Sequence, residues 1–73
     1  MDDKLDFTIY CIENYKVEKN LTGSETVVLF DKYDVFRFIT ESYEALHTVS
    51  NDYIIADITS YINTQQKNQL FSF

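Results

Sequence analysis

The residues of this chain that could do chemistry are few and far apart in the sequence. His47 is the one histidine and Cys11 the one cysteine, and a catalytic site would pair His47 with Cys11 as nucleophile or with Asp57 as the group that orients its ring. Nothing in their spacing places them together, and no oxyanion-hole motif or glycine loop accompanies them. Asp52 and Asp57 are too far apart on a helix to pair as residues three or four apart would. We therefore expect no catalytic site, no metal site and no cofactor, and we predict that the protein is not an enzyme.

The composition favours a small helical domain. A chain of 73 residues forms one domain with a thin core, because a domain of this size buries only about 60% of the surface that its unfolded chain exposes. Hydrophobic residues make up 45% of the chain, which argues against disorder. One glycine and no proline leave few turn-forming residues for a sandwich or barrel, so we predict an all-α fold with short connections.

Charge and the N-terminal sequence restrict the expected partners and compartment. A net charge of −6 should repel nucleic-acid phosphate and anionic lipid, and should attract a basic protein. The start, MDDKLDF, is acidic, and no apolar stretch approaches the ~20 residues needed to span a bilayer, so we expect neither export nor membrane insertion. A lone Cys11, with no second cysteine to pair with, suits a reducing cytoplasm, where we expect the protein to act.

Two helices are predicted in the first half of the chain. Residues 5–11 alternate as a half-buried strand would, but the apolar pattern also has helical spacing and continues to Val17, so we predict a helix. Asn20 tolerates left-handed geometry and is expected to end it. Thr22 and Glu25 have the T-x-x-E spacing of a capping box, which favours a second, short helix over a strand in the β-rich run that follows.

Two further helices and a tail are predicted in the second half. Residues 35–46 carry an apolar stripe at three- and four-residue spacing, which predicts one helix. Residues 54–62 repeat this spacing after Ser50-Asn51-Asp52, which suits the start of a fourth helix. We therefore predict a compact bundle of four short helices in a single domain, residues 1–64. A polar tail with an apolar tip, residues 65–73, either folds back or meets a partner.

The second and third helices, joined around Tyr33 and Asp34, form a helix-turn-helix-like pair. Between Val35 and Leu46 this pair has one arginine against two glutamates, whereas phosphate contact requires a basic stripe. We therefore do not expect the pair to bind nucleic acid.

Interaction with a protein is the function that these properties favour. The six tyrosines offer large contact areas with polar tips, as interfaces use, although they could equally rim the core with hydroxyls in water. His47 lies in the last turn of the third helix, where its ring can reach open carbonyls, so we interpret it as a structural joint. The predicted partner contacts are Tyr33, Glu41, Tyr43, Glu44, Tyr53 and Asp57. The predicted structural joints are Thr22, Glu25, His47 and Thr48.

The order of four segments resembles a known family. These segments are IYCIENYK, LTGSETVVLFDKYDVFRFI, YEALHT and YIIADITSYI, within residues 5–62. Together they resemble short, uncharacterised bacterial proteins, a domain of unknown function often encoded beside ADP-ribosyltransferase-like proteins. The resemblance implies a glycine where this chain has Asp34, and aspartate tolerates left-handed geometry less readily. It implies no catalytic residues, but a small partner that restrains a neighbouring enzyme as an antitoxin does.

The leading hypothesis is a non-enzymatic interaction module from a bacterium or its phage. Its acidic, tyrosine-bearing face would occlude the basic cleft of a toxin-like ADP-ribosyltransferase. Two alternatives stay open: a DNA-associated regulator that uses the helix-turn-helix-like pair, and an acidic nucleic-acid mimic of phage origin. A thin core and an apolar tip also allow a homodimer.

Overall fold

The computed structural model describes residues 3–71, with side chains described for residues 3–68, and no strand occurs in this part of the chain. The predicted all-α fold is confirmed, and residues 5–11 are helical. The helices are α1 (Asp3–Glu18), α2 (Gly23–Lys32), α3 (Val35–Glu41), α4 (Tyr43–Leu46) and α5 (Asn51–Phe71). α1 packs against α2, α3 and α5, and α3 packs against α2, α4 and α5.

The connection between α1 and α2 follows from two sequence signals. Asn20 has a positive φ of 56°, and the N–H of Leu21 donates to the carbonyl of Lys16, which closes the end of α1. The capping box is present: the N–H of Glu25 donates to Oγ1 of Thr22 at 3.0 Å, and the N–H of Thr22 donates to the Glu25 carboxylate at 2.9 Å. The bond from the Thr22 backbone lowers the pKa of Glu25, because it stabilises the ionised carboxylate.

The turn between α2 and α3 contains a residue in the left-handed region. Asp34 has φ 60° and ψ 35°, the conformation for which the family resemblance implies a glycine. Its carboxylate lies 3.4 Å from the Arg37 guanidinium, and its carbonyl accepts the Tyr61 hydroxyl at 3.4 Å. The left-handed conformation of this turn therefore forms with aspartate at position 34, and the aspartate backbone is strained.

Replacing Asp34 with glycine should raise the free energy of unfolding by about 0.5–1 kcal/mol. The left-handed conformation costs an ordinary L-residue roughly 1–2 kcal/mol, and the exposed Asp34–Arg37 ion pair that is lost is worth less than about 1 kcal/mol. Urea unfolding followed by circular dichroism measures the change. Asn20→Gly is the matched control at the other positive-φ position and should gain less, since asparagine tolerates this region better. A less stable Asp34→Gly protein would contradict this account.

The structure divides the predicted third helix into α3 and α4. Ser42 has φ −99° and ψ 9°, which interrupts the helix after Glu41. The Thr40 hydroxyl donates to the Phe36 carbonyl at 2.9 Å, a side-chain bond that often bends helices. The prediction of one helix over residues 35–46 is therefore wrong at Ser42. The bend allows Leu46, at 3% exposure, to remain in the core.

The structure also extends the predicted fourth helix to Phe71. The polar composition after residue 63 predicts that the helix ends there. No glycine or proline follows, however, and side-chain hydrogen bonds stabilise the polar helical turns. The Thr64 hydroxyl donates to the Ser60 carbonyl at 3.1 Å, and the Gln65 amide donates to the Tyr61 hydroxyl at 2.9 Å. Whether the apolar tip, residues 70–73, packs on the domain lies outside the described side chains. Within residues 3–71, no helix is both long and apolar enough to cross a membrane.

The core lies where α1, α2, α3 and α5 meet. Phe30 is fully buried, with its ring edge-on to Tyr15 at 5.2 Å and to Phe36 at 5.8 Å. The ring of Tyr61 stacks on Phe38 at 4.4 Å and holds α5 against α3. Among the side chains that the structure describes, the buried hydrophobic residues are Cys11, Tyr15, Phe30, Tyr33, Val35, Ile39, Leu46, Ile54, Ile55, Ile58 and Ile62.

Candidate functional site

The two residues that could form a nucleophile and base differ in their surroundings. Cys11 is 1% exposed, and burial raises the pKa of its thiol to about 12, so it is protonated at neutral pH. His47 is exposed at the end of α4, and its Nδ1 lies 2.6 Å from the carbonyl oxygen of Tyr43. Since a carbonyl only accepts, Nδ1 carries the proton of this hydrogen bond. Within the described residues, no three His, Cys, Asp or Glu side chains are grouped to hold a metal ion.

The feature that the structure adds is a row of four rings between α1 and α4. Ring centroids are 6.1 Å apart between Tyr10 and Phe7, 5.5 Å between Phe7 and Tyr43, and 4.4 Å between Tyr43 and His47. A spacing of three residues places Phe7 and Tyr10 on one side of α1, and a spacing of four places His47 on the same side of α4 as Tyr43. Tyr10 is 45% exposed, so one end of the row is open to a partner.

Two carboxylates act electrostatically on Tyr43, in the centre of this row. Burial raises the pKa of the Tyr43 hydroxyl, and the negative charges of Asp3 and Glu44 raise it further. The charges of Asp3, at the N-terminus of α1, and Glu44, at the start of α4, therefore act on the same ring, Tyr43. We call this set the acidic aromatic surface: Asp3, Phe7, Tyr10, Tyr43, Glu44 and His47.

The chemistry of the acidic aromatic surface suits a cationic side chain. Ring faces attract ammonium and guanidinium groups, and carboxylates form charge-assisted hydrogen bonds with them. The chain makes such pairings internally, with Nζ of Lys19 5.8 Å from the Tyr15 ring and Nζ of Lys32 5.3 Å from the Tyr33 ring. An arginine or lysine of a partner could use the same contacts.

Of the six predicted partner contacts, Tyr43 and Glu44 lie together in the acidic aromatic surface. Tyr53 is 57% exposed on α5, and Asp57 follows one turn later on the same helix. The carboxylate of Glu41 lies 3.3 Å from the guanidinium of Arg37 on α3. These five residues therefore lie on three helices: Glu41 on α3, Tyr43 and Glu44 on α4, and Tyr53 and Asp57 on α5.

Tyr33, the sixth predicted contact, is mostly buried. Its side chain is 8% exposed, and its hydroxyl accepts a hydrogen bond from Nε2 of Gln66 at 3.3 Å. Gln66 lies thirteen residues beyond Tyr53 in α5, a distance of about 20 Å along the helix axis. Tyr33 and Tyr53 therefore cannot contact one small ligand group.

Sequence reasoning missed Asp3, Phe7 and Tyr10 as members of a surface. The spacing of Phe7 and Tyr10 was visible in the sequence, but no pattern in α1 indicates that α4 brings Tyr43 against Phe7. The predicted structural joints at the C-terminal end of α4 make local contacts. His47 is the C-cap residue of α4, and the Thr48 hydroxyl donates to the Ala45 carbonyl at 2.9 Å.

The middle helices offer little cationic surface. α3 contains one basic residue, Arg37, whose guanidinium lies 3.4 Å from Asp34 and 3.3 Å from Glu41. Two carboxylates thus compete with any phosphate for this side chain.

Comparison with protein families gives one match over most of the chain. Residues 6–65 match the family model described as "Protein of unknown function (DUF3791)". No curated protein and no solved structure matches the chain.

Proposed function

Because the chain belongs to the DUF3791 family of proteins of unknown function, its own surface has to suggest its role, and we propose that it is a protein-binding module for a basic partner. The observation that supports this most is the acidic aromatic surface, a row of four rings in which the charges of Asp3 and Glu44 act on Tyr43. The net charge of −6 accelerates the encounter with a basic surface, and the rings determine how long the complex lasts.

In the finer form of this proposal, the partner is a toxin-like ADP-ribosyltransferase encoded nearby, and the module acts as its antitoxin. The support is the family resemblance of the sequence together with the acidic charge. A basic cleft that binds an anionic substrate would accept Glu44 and Asp3 in place of that substrate. The module then blocks the cleft without doing chemistry itself.

The test compares variants as bait in the cells that encode the protein. Tyr10→Ala with Glu44→Gln removes an exposed ring and a charge. Tyr53→Ala with Asp57→Asn removes the same kinds of group on α5, at two predicted contacts outside the acidic aromatic surface, and serves as the matched control. We expect the wild type and the α5 control to retain one basic protein at low salt, and the Tyr10/Glu44 variant to bind it at least tenfold more weakly. Titration calorimetry with the purified partner measures the affinities.

The outcomes separate the coarse proposal from the finer one. Equal affinity for the Tyr10/Glu44 variant and the wild type would exclude the acidic aromatic surface as the binding site. If the retained basic protein has no ADP-ribosyltransferase-like sequence, the proposal of a protein-binding module stands and the proposal of an antitoxin role is excluded. Circular dichroism of each variant establishes that the fold is unchanged.

The DNA-associated alternative has less support, because Arg37 already lies between two carboxylates. Binding of the protein to its own promoter, weakening as salt is raised, would restore this alternative.

A further inference from the structure

One side of α2 presents an apolar patch with a charged residue at each end. Glu25, Val28, Leu29 and Lys32 follow one another at spacings that place them on the same side of the helix, and they line an open groove of about 480 Å³. Val28 is 67% exposed. Covering this patch would be favourable by roughly 25 cal/mol per Å² of apolar area buried. We call these four residues the α2 face.

The two charges of the α2 face are placed symmetrically about its apolar centre. Glu25 lies in the first turn of α2 and Lys32 in the last, and their midpoint in the sequence falls between Val28 and Leu29. In an antiparallel pair of α2 helices with a two-fold axis at this midpoint, each Glu25 lies opposite Lys32 of the other copy. Val28 and Leu29 then pack against their own counterparts at the axis. The α2 face is therefore complementary to itself.

Charge favours a second copy over a basic partner as the occupant of this face. A uniformly basic surface would meet Lys32 with a like charge, whereas the antiparallel pair forms two ion pairs. The Thr22 N–H donates to Oε1 of Glu25 at 2.9 Å and lowers the pKa of this carboxyl, so Glu25 is ionised at neutral pH. The net charge of −6 on each copy opposes association, but at physiological salt charges more than about 8 Å apart are largely screened.

We propose that the protein forms a reversible homodimer through the α2 face, with the two α2 helices antiparallel and Glu25 of each copy paired with Lys32 of the other. α2 has ten residues, so the contact is only about 15 Å long. A contact of this size is weak, and we expect a dissociation constant on the order of 0.1 mM. The inference does not depend on the proposed function, because the α2 face shares no residue with the acidic aromatic surface.

Sedimentation equilibrium of the full chain between roughly 10 µM and 1 mM measures the dissociation constant. Lys32→Glu should raise it at least tenfold, because like charges then lie opposite each other at both ends of the contact. Lys19→Glu is the matched control. It changes the net charge equally and removes the same kind of contact, since Nζ of Lys19 lies 5.8 Å from the Tyr15 ring and Nζ of Lys32 lies 5.3 Å from the Tyr33 ring. The control should dimerise as the wild type does.

Disulfide cross-linking tests the antiparallel register without changing either charge. In a Cys11→Ala chain, the thiols of a Val28→Cys variant meet near the two-fold axis and should form an intermolecular disulfide under a mild oxidant. In the Ser24→Cys control the two thiols lie about 13 Å apart along the helix axes, too far for a disulfide, whose Cα atoms are within about 7 Å. Cross-linking should therefore be at least tenfold slower in this control.

Three results would overturn the proposal. The first is a wild-type protein that sediments as a monomer throughout this concentration range. The second is a dimer that Lys32→Glu and Lys19→Glu weaken equally, which would show that net charge alone matters. The third is cross-linking of Ser24→Cys as fast as that of Val28→Cys, which would exclude the antiparallel register.

Discussion

Replacing Phe30 with alanine is expected to remove a large part of the protein's free energy of unfolding. Phe30 is completely buried, and its ring makes edge-on contacts with Tyr15 and Phe36. Truncating such a ring costs about 3–5 kcal/mol. A chain of 73 residues has a total free energy of unfolding of about 4–11 kcal/mol. The loss is therefore comparable to the lower part of that range.

Urea unfolding followed by circular dichroism measures this effect. Val17→Ala is the control, because Val17 is 76% exposed on α1 and should change the free energy of unfolding by less than about 0.5 kcal/mol. A loss of less than about 1 kcal/mol for Phe30→Ala would show that the ring is not central to the core.

Alkylation of Cys11 by iodoacetamide near pH 8 is expected to be at least about a thousandfold slower in the folded protein than in urea. Burial raises the thiol pKa from 9.0 to about 12, and each unit lowers the reactive thiolate fraction tenfold. Exclusion of the reagent from a site that is 1% exposed slows the reaction further. Mass spectrometry at timed intervals gives both rates.

A matched control moves the thiol to the surface. In a Cys11→Ala, Val17→Cys protein the thiol occupies an exposed position, so its folded and unfolded rates should agree within about tenfold. A wild-type folded rate within tenfold of the unfolded rate would mean that the core opens readily around Cys11.

The same thiol makes stability depend on pH in a definite direction. The unfolded chain loses the Cys11 proton above its ordinary pKa of 9.0, while the folded chain keeps it until about 12. The unfolded state binds fewer protons between these two pH values. The contribution of the Cys11 thiol to the free energy of unfolding is therefore complete below pH 9.0 and is lost as pH rises towards 12.

The sequence by itself determined the fold class and the local signals that shape it. Thr22 and Glu25 act through their own backbone neighbours, and Asn20 ends α1 through its own φ, so these features depend on few distant contacts. The absence of proline and the single glycine similarly limited the chain to helices. Interactions of this kind involve residues close together in the sequence, so they can be predicted from the sequence alone.

Only the tertiary structure decided where the helices bend and which rings meet. The interruption at Ser42 places Leu46 in the core and Tyr43 against Phe7, thirty-six residues earlier in the chain. Tyr33 looked like a surface tyrosine, but its ring is needed to complete a thin core. Such outcomes depend on which apolar surfaces compete for burial, and that competition involves residues distant in sequence whose pairing no local pattern specifies.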